Sequence, residues 1–145
     1  NDTSPTSSVF TVATDHSVNA DGEKYIAYCW RSIEGYSKIG SYTGNGNANG
    51  TFVYTGFRPA YILIKKTGAV SHWQIHDTTR DPVNVMQGQI HANETDHSAN
   101  DAAYYVDSLS NGFKLRMSHA GQNENAENYI YVAFAETEQK YSNAR

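Results

Sequence analysis

Chemistry in this chain would have to reside in its six histidines, in two Ser-His dipeptides and in carboxylates grouped at turns. His72 and His76 fall on one face of an expected strand, and His91 with His97 offers a second pair. Four residues at about 3.3 Å each hold His72 and His76 roughly 13 Å apart, too far to share one ion. Solvated surface histidines are the ordinary alternative, and no metal ligand is assigned. Asp15-His-Ser-Val-Asn19-Ala-Asp21-Gly22-Glu23 supplies oxygens and a glycine without the alternating ligands and closing bidentate glutamate of an EF-hand loop. A turn explains it equally well. Asp96, Asn100 and Asp101 add oxygens but no regular pattern, so no cofactor is expected.

Ser118-His119 and Ser71-His72 are neighbours in sequence, and neighbours on a strand point to opposite faces, which prevents a nucleophile and base from meeting. The carboxylates gather in turns and at strand ends, not as a pair flanking a cleft of the kind glycan cleavage needs. No enzyme is expected. Eleven tyrosines and two tryptophans raise a different chemistry, stacking against sugars. Trp30 and Trp73 are assigned to the packed side, so a saccharide platform is sought in Tyr42, Tyr104 and Tyr105. Asn45, Asn47 and Asn49 would offer amide donors and acceptors to hydroxyls.

The elements that must position these residues read as strands. Alternation and turn residues mark them at about 8–14, 24–31, 36–43, 51–55, 60–66, 72–77, 112–118 and 128–136. A further short strand is placed near Gln87 to Ala92. Glu23-Lys-Tyr-Ile-Ala-Tyr-Cys-Trp30 is echoed by Glu127-Asn-Tyr-Ile-Tyr-Val-Ala-Phe134, and Gly35-Tyr36-Ser37 by Lys140-Tyr141-Ser142. The pair is expected to form neighbouring strands in the middle of one layer. Facing follows from the alternation: Trp73, Ile75, Phe113, Leu115 and Met117 inward, His72, Gln74, His76, Lys114 and Arg116 outward. Around Ile26, Trp30, Trp73, Phe113 and Phe134 the core is expected to close. Ala60-Tyr-Ile-Leu-Ile-Lys-Lys is apolar on both faces, as a central or doubly covered strand would be. Gly44-Asn-Gly-Asn-Ala-Asn-Gly50 and Gly121-Gln-Asn-Glu-Asn125 read as end loops. The fold class is all-β, a two-layer antiparallel β-sandwich of jelly-roll or concanavalin A-like lectin type.

At 145 residues the chain is expected to form one domain, 1–145, with a core of its own. A net charge of −4 with only 11 Lys plus Arg argues against a nucleic-acid partner. No apolar run reaches the roughly 20 residues of a membrane span. Cys29, the single cysteine, is read as a small buried hydrophobe. A start without methionine, followed at once by a strand, gives the expectation of a carboxy-terminal part of something longer.

The run Tyr25-Ile-Ala-Tyr-Cys-Trp-Arg-Ser-Ile-Glu-Gly-Tyr-Ser-Lys-Ile-Gly-Ser-Tyr-Thr-Gly-Asn-Gly46 and the stretch Phe52-Val-Tyr-Thr-Gly-Phe-Arg-Pro-Ala-Tyr-Ile-Leu-Ile-Lys65 resemble an uncharacterised carboxy-terminal domain. That domain is common in tail-fibre-like and other virion proteins of marine bacteriophages. Asp77-Thr-Thr-Arg80-Asp-Pro82-Val-Asn84, Leu109-Ser-Asn-Gly-Phe-Lys-Leu-Arg116 and Tyr129-Ile-Tyr-Val-Ala-Phe-Ala-Glu136 extend the likeness from about Ser8 to the end. The resemblance implies a sandwich in a virion appendage, extracellular, that displays loops towards a host-surface glycan or receptor. It implies no catalytic residues. Homo-oligomers, with a trimer suggested, and other virion proteins are the further partners. The rival expectation is a structural module that packs against copies in a fibre or capsid and recognises nothing outside. A depolymerase would need close carboxylates in a cleft, such as one between chains.

Overall fold

A computed structural model describes residues 3–95, 99–100 and 104–136 of the chain. The chain divides into two compact units, residues 1–30 and 31–145. The second is all-β and is a two-layer antiparallel sandwich. Its strands among the described residues are β1 (Ser37–Thr43), β2 (Phe52–Tyr54), β3 (Pro59–Lys66), β4 (Gln74–Asp77), β5 (Gly88–His91), β6 (Ala99–Asn100), β7 (Val106–Leu109), β8 (Gly112–Leu115) and β9 (Asn128–Ala135). One sheet runs β1-β9-β3-β4-β5-β6 and the other β2-β8-β7.

β-branched and aromatic residues dominate the central strands, because such side chains fit a pleated surface packed on both sides. β3 lies centrally, as its two apolar faces require, with β9 on one flank and β4 on the other. Pro59, which has no N–H to give, stands at its first position beside a register shift. The inner layer joins Tyr42, Ile62, Ile64, Tyr129, Tyr131 and Ala133 of the large sheet to Val53, Val106, Phe113 and Leu115 of the small one. Ring packing sets this contact: Phe113 meets Tyr131 edge-on at 5.4 Å between centroids, and Tyr42 stacks on Tyr129 at 5.1 Å.

The facing of two strands is the reverse of the expectation. In β9 it is Tyr129, Tyr131 and Ala133 that are buried, while Ile130 is exposed and Val132 and Phe134 are half-buried on the outer face. In β4 Gln74 and His76 are fully buried, Ile75 is half-buried and Trp73, just before the strand, is exposed. Both have a physical cause. A tyrosine ring fills the inter-sheet space while the Tyr129 hydroxyl donates to the Ala120 carbonyl, and the buried His76 ring meets the Gln122 side-chain amide. The outer face gains a row of apolar side chains in register, Ile39, Val132, Leu63, Ile75 and Ile90.

Residues 3–30 contain no strand among those described, against the strands expected at 8–14 and 24–31. Their single helix, α1 (His16–Asn19), is capped by Asp15, whose carboxylate accepts from the Ser17 N–H at 2.8 Å. The Tyr25 hydroxyl closes this turn by donating to the His16 carbonyl at 2.7 Å. Ile26 and Trp30 are exposed, as is Cys29, and no side chain among the described residues of this unit is buried. A lone extended segment has no ladder partner to make its alternation a strand. The neighbours of β9 are β1 and β3. Of the five residues expected to define the core, Phe113 alone is fully buried. Lys140-Tyr141-Ser142 lies outside the described residues, as do Asp96, His97 and Asp101.

Candidate functional site

One end of the large sheet gathers the chain's polar chemistry. β1 and β3 finish there, and β4 and β9 begin there. Gln74 pairs with His91, so β5 also ends at this edge. Beneath it the inner layer turns polar: Gln74, His76, Gln122 and Asn123 are all 0% exposed. The His76 Nε2 lies 3.2 Å from the Gln122 Oε1. Burial pushes the His76 pKa down to about 4, so the ring is neutral and donates to that oxygen. The Gln74 amide and the Gln122 Nε2 have no hydrogen-bond partner among the described residues.

Above this layer opens a cleft of about 290 Å³ lined by Lys66, Val70, Ser71, His72, Tyr104, His119, Ala120 and Gly121. Its wall is aromatic, with Tyr104 4.4 Å from His119 between centroids and 6.1 Å from His91. Gly121 is required at its floor, since a Cβ there would strike the Gln74 amide and crowd Tyr104 and His119. His119 is held by its Nδ1, which accepts from the Gly121 N–H at 3.0 Å. Lys66 ion-pairs with Glu124 and lies 3.6 Å from Glu127. The hydrogen bond it donates to Glu124 holds the ammonium pKa above its ordinary value.

Beside the cleft, His72 and His91 stack at 4.4 Å with their planes 16° apart. Both Nδ1 atoms face Glu94, at 3.0 Å from Oε1 for His72 and 2.6 Å from Oε2 for His91. Strand pairing makes this meeting possible. His72 precedes β4, His91 ends β5 and Glu94 sits on the turn that follows. Spacing along a single strand could not reveal it; the His91-x-x-Glu94 pattern in a turn was the available signal. His76, the partner weighed for His72, points into the core instead.

The expected saccharide residues are distributed differently. Tyr42 is buried and donates its hydroxyl to the Gln122 carbonyl at 2.6 Å, which withdraws it from any ligand. Asn45, Asn47 and Asn49 form a self-contained ladder in which the Asn45 Oδ1 accepts from Asn47 N and the Asn47 Oδ1 from Asn49 N. Asn123 clamps it, its Nδ2 lying 3.0 Å from the Asn45 Oδ1 and 2.9 Å from the Asn47 carbonyl. Tyr104 does line the cleft, whereas Tyr105 is half-buried and does not. His119, His72 and the exposed indole of Trp73, 37% accessible at the same end, are the residues that alternation assigned elsewhere or passed over.

A family model described as Domain of unknown function (DUF7483) matches residues 1–138. No curated protein and no solved structure matches the chain.

Proposed function

The chain belongs to the DUF7483 family, and we propose that it is a non-catalytic adhesion domain of a phage virion appendage, holding a host-surface saccharide in the cleft beside Tyr104 and His119. The cleft carries this reading. Its aromatic walls pair with the Ser71 hydroxyl and imidazole nitrogens, the mixture of apolar face and hydrogen-bonding edge that a sugar ring presents. At about 290 Å³ it sits at the small end of ligand pockets, which suits one sugar unit better than a chain. A single weak contact of this size becomes useful adhesion through avidity when several copies share one fibre. The test is a glycan array and host-cell binding with the intact protein, beside the variant Ala120→Trp. Ala120 is exposed on the cleft rim, so the indole fills the cleft without entering the core. Binding lost in the variant supports the reading, and equal binding by both proteins removes it.

A structural packing role is favoured by a separate observation. Phe10, Tyr25, Ile26, Tyr28 and Trp30 are all exposed, and the outer face of the large sheet carries its own half-buried apolar row. Apolar surfaces of this extent usually mark contacts with another polypeptide. Saccharide binding by monomeric protein would favour adhesion, and stable oligomers without saccharide binding would favour packing.

A further inference from the structure

We propose that His72, His91 and Glu94 form a binding site for a divalent transition ion of the zinc class. One ligand atom from each lies within 4.8 Å of the other two. The two imidazole nitrogens and one carboxylate oxygen are a donor set that zinc accepts, whereas calcium and magnesium prefer oxygen throughout.

The hydrogen bonding around His72 suits a cation. Asn93 Oδ1 accepts from the Trp73 N–H at 2.8 Å, which fixes its amide so that Nδ2 faces His72 Nδ1 at 3.2 Å. A nitrogen that faces an N–H donor presents its lone pair. The same Nδ1 lies 3.0 Å from the Glu94 Oε1, also an acceptor. Two acceptors at that distance repel unless a proton or a cation sits between them; a metal ion, taking the His72 lone pair from the Asn93 N–H, serves both rings and the carboxylate at once.

The elements suit the task. His91 is fixed at the end of a paired strand with its side chain 18% exposed, so it serves as the anchored ligand. His72, at 44%, has room to turn its ring out of the stack, which the in-plane approach of an ion to both nitrogens demands. Three protein donors leave the fourth tetrahedral corner open. His72 also lines the cleft, so the site adjoins it.

This inference is independent of the saccharide reading, because the ion is titrated without sugar. Zinc chloride added to the tag-free full chain in a calorimeter should bind at one ion per chain. His72→Ala, His91→Ala and Glu94→Gln should each weaken binding by about tenfold or more. His16→Ala, in the other unit, should bind as the parent does. Cobalt(II) in place of zinc should give the strong visible bands of a tetrahedral site, lost in His72→Ala. The His72 side chain, 44% exposed, is more open than that of His91, so this variant keeps its fold and remains informative if His91→Ala does not. No zinc binding by the parent, binding unchanged in His72→Ala and Glu94→Gln, or a preference for calcium would each overturn the proposal.

Discussion

His76 is a titratable group committed to neutrality. Its folded pKa, about 4, lies below the ordinary histidine value of 6.5, so between these values the unfolded chain binds a proton that the folded chain refuses. Stability is therefore fully present above about pH 6.5 and falls as the pH drops towards 4. From pH 7 to 5 the loss amounts to about 2 kcal/mol. Urea unfolding at the two pH values measures it. The variant His76→Gln, which keeps an amide for Gln122, should flatten the difference; an equal fall in both proteins would place the acid sensitivity elsewhere. Asn123 carries a second residue-scale expectation. It is fully buried, and its amide serves the Asn45 side chain, the Asn47 carbonyl and the Met117 carbonyl. Asn123→Ala strands these groups and should cost about 2–3 kcal/mol, with faster amide exchange at residues 44–50. Unchanged exchange there would mean that the loop holds itself.

At the scale of elements, the strands of residues 37–135 were largely legible, because turn residues bracket β-branched and aromatic runs. Which face turned inward was not. Tyr129-Ile-Tyr-Val-Ala-Phe134 is apolar at every position, so alternation gives two phases of equal merit. Only the partner layer chooses the tyrosines, whose rings fill the space between the sheets, and the Tyr129 hydroxyl donates to the Ala120 carbonyl at 2.8 Å. In β4 the pattern pointed the wrong way, since Gln74 and His76 look like a solvent face until residues 122–123 are folded over them. The cleft was illegible for the same reason, being assembled from segments more than fifty residues apart in sequence, Lys66 to Gly121. β9 offers a direct check on its phase. Ile130, 42% exposed, should tolerate Ser with a loss below about 1 kcal/mol, while Tyr131→Ala should cost about 3–5 kcal/mol by opening the core. Reversed costs in denaturant melts would put the tyrosines outside.

At the scale of the whole molecule, the two units differ in how they satisfy the hydrophobic effect. The sandwich has an interior; the described residues 3–30 have none, although this stretch holds several of the chain's exposed large apolar side chains. The echo between residues 23–30 and 127–134 shows what separates the two outcomes. The same kind of sequence is a central strand when two ladders accept its backbone and remains extended and exposed when none does. Side chains such as Ile26, 80% exposed, and Tyr28, 74%, would therefore gain most if another copy covered them. Burying each contributes on the order of 1–2 kcal/mol, so replacing both with Ser should weaken self-association about thirtyfold to nearly a thousandfold. Light scattering across a dilution series measures this for the parent and the double variant. A parent that stays monomeric at high micromolar concentration would exclude association between copies as the role of this unit. Identical association of both proteins would shift the contact to the outer row of Leu63, Ile75 and Val132, where a charged substitution at the half-buried Leu63 should then dissociate it.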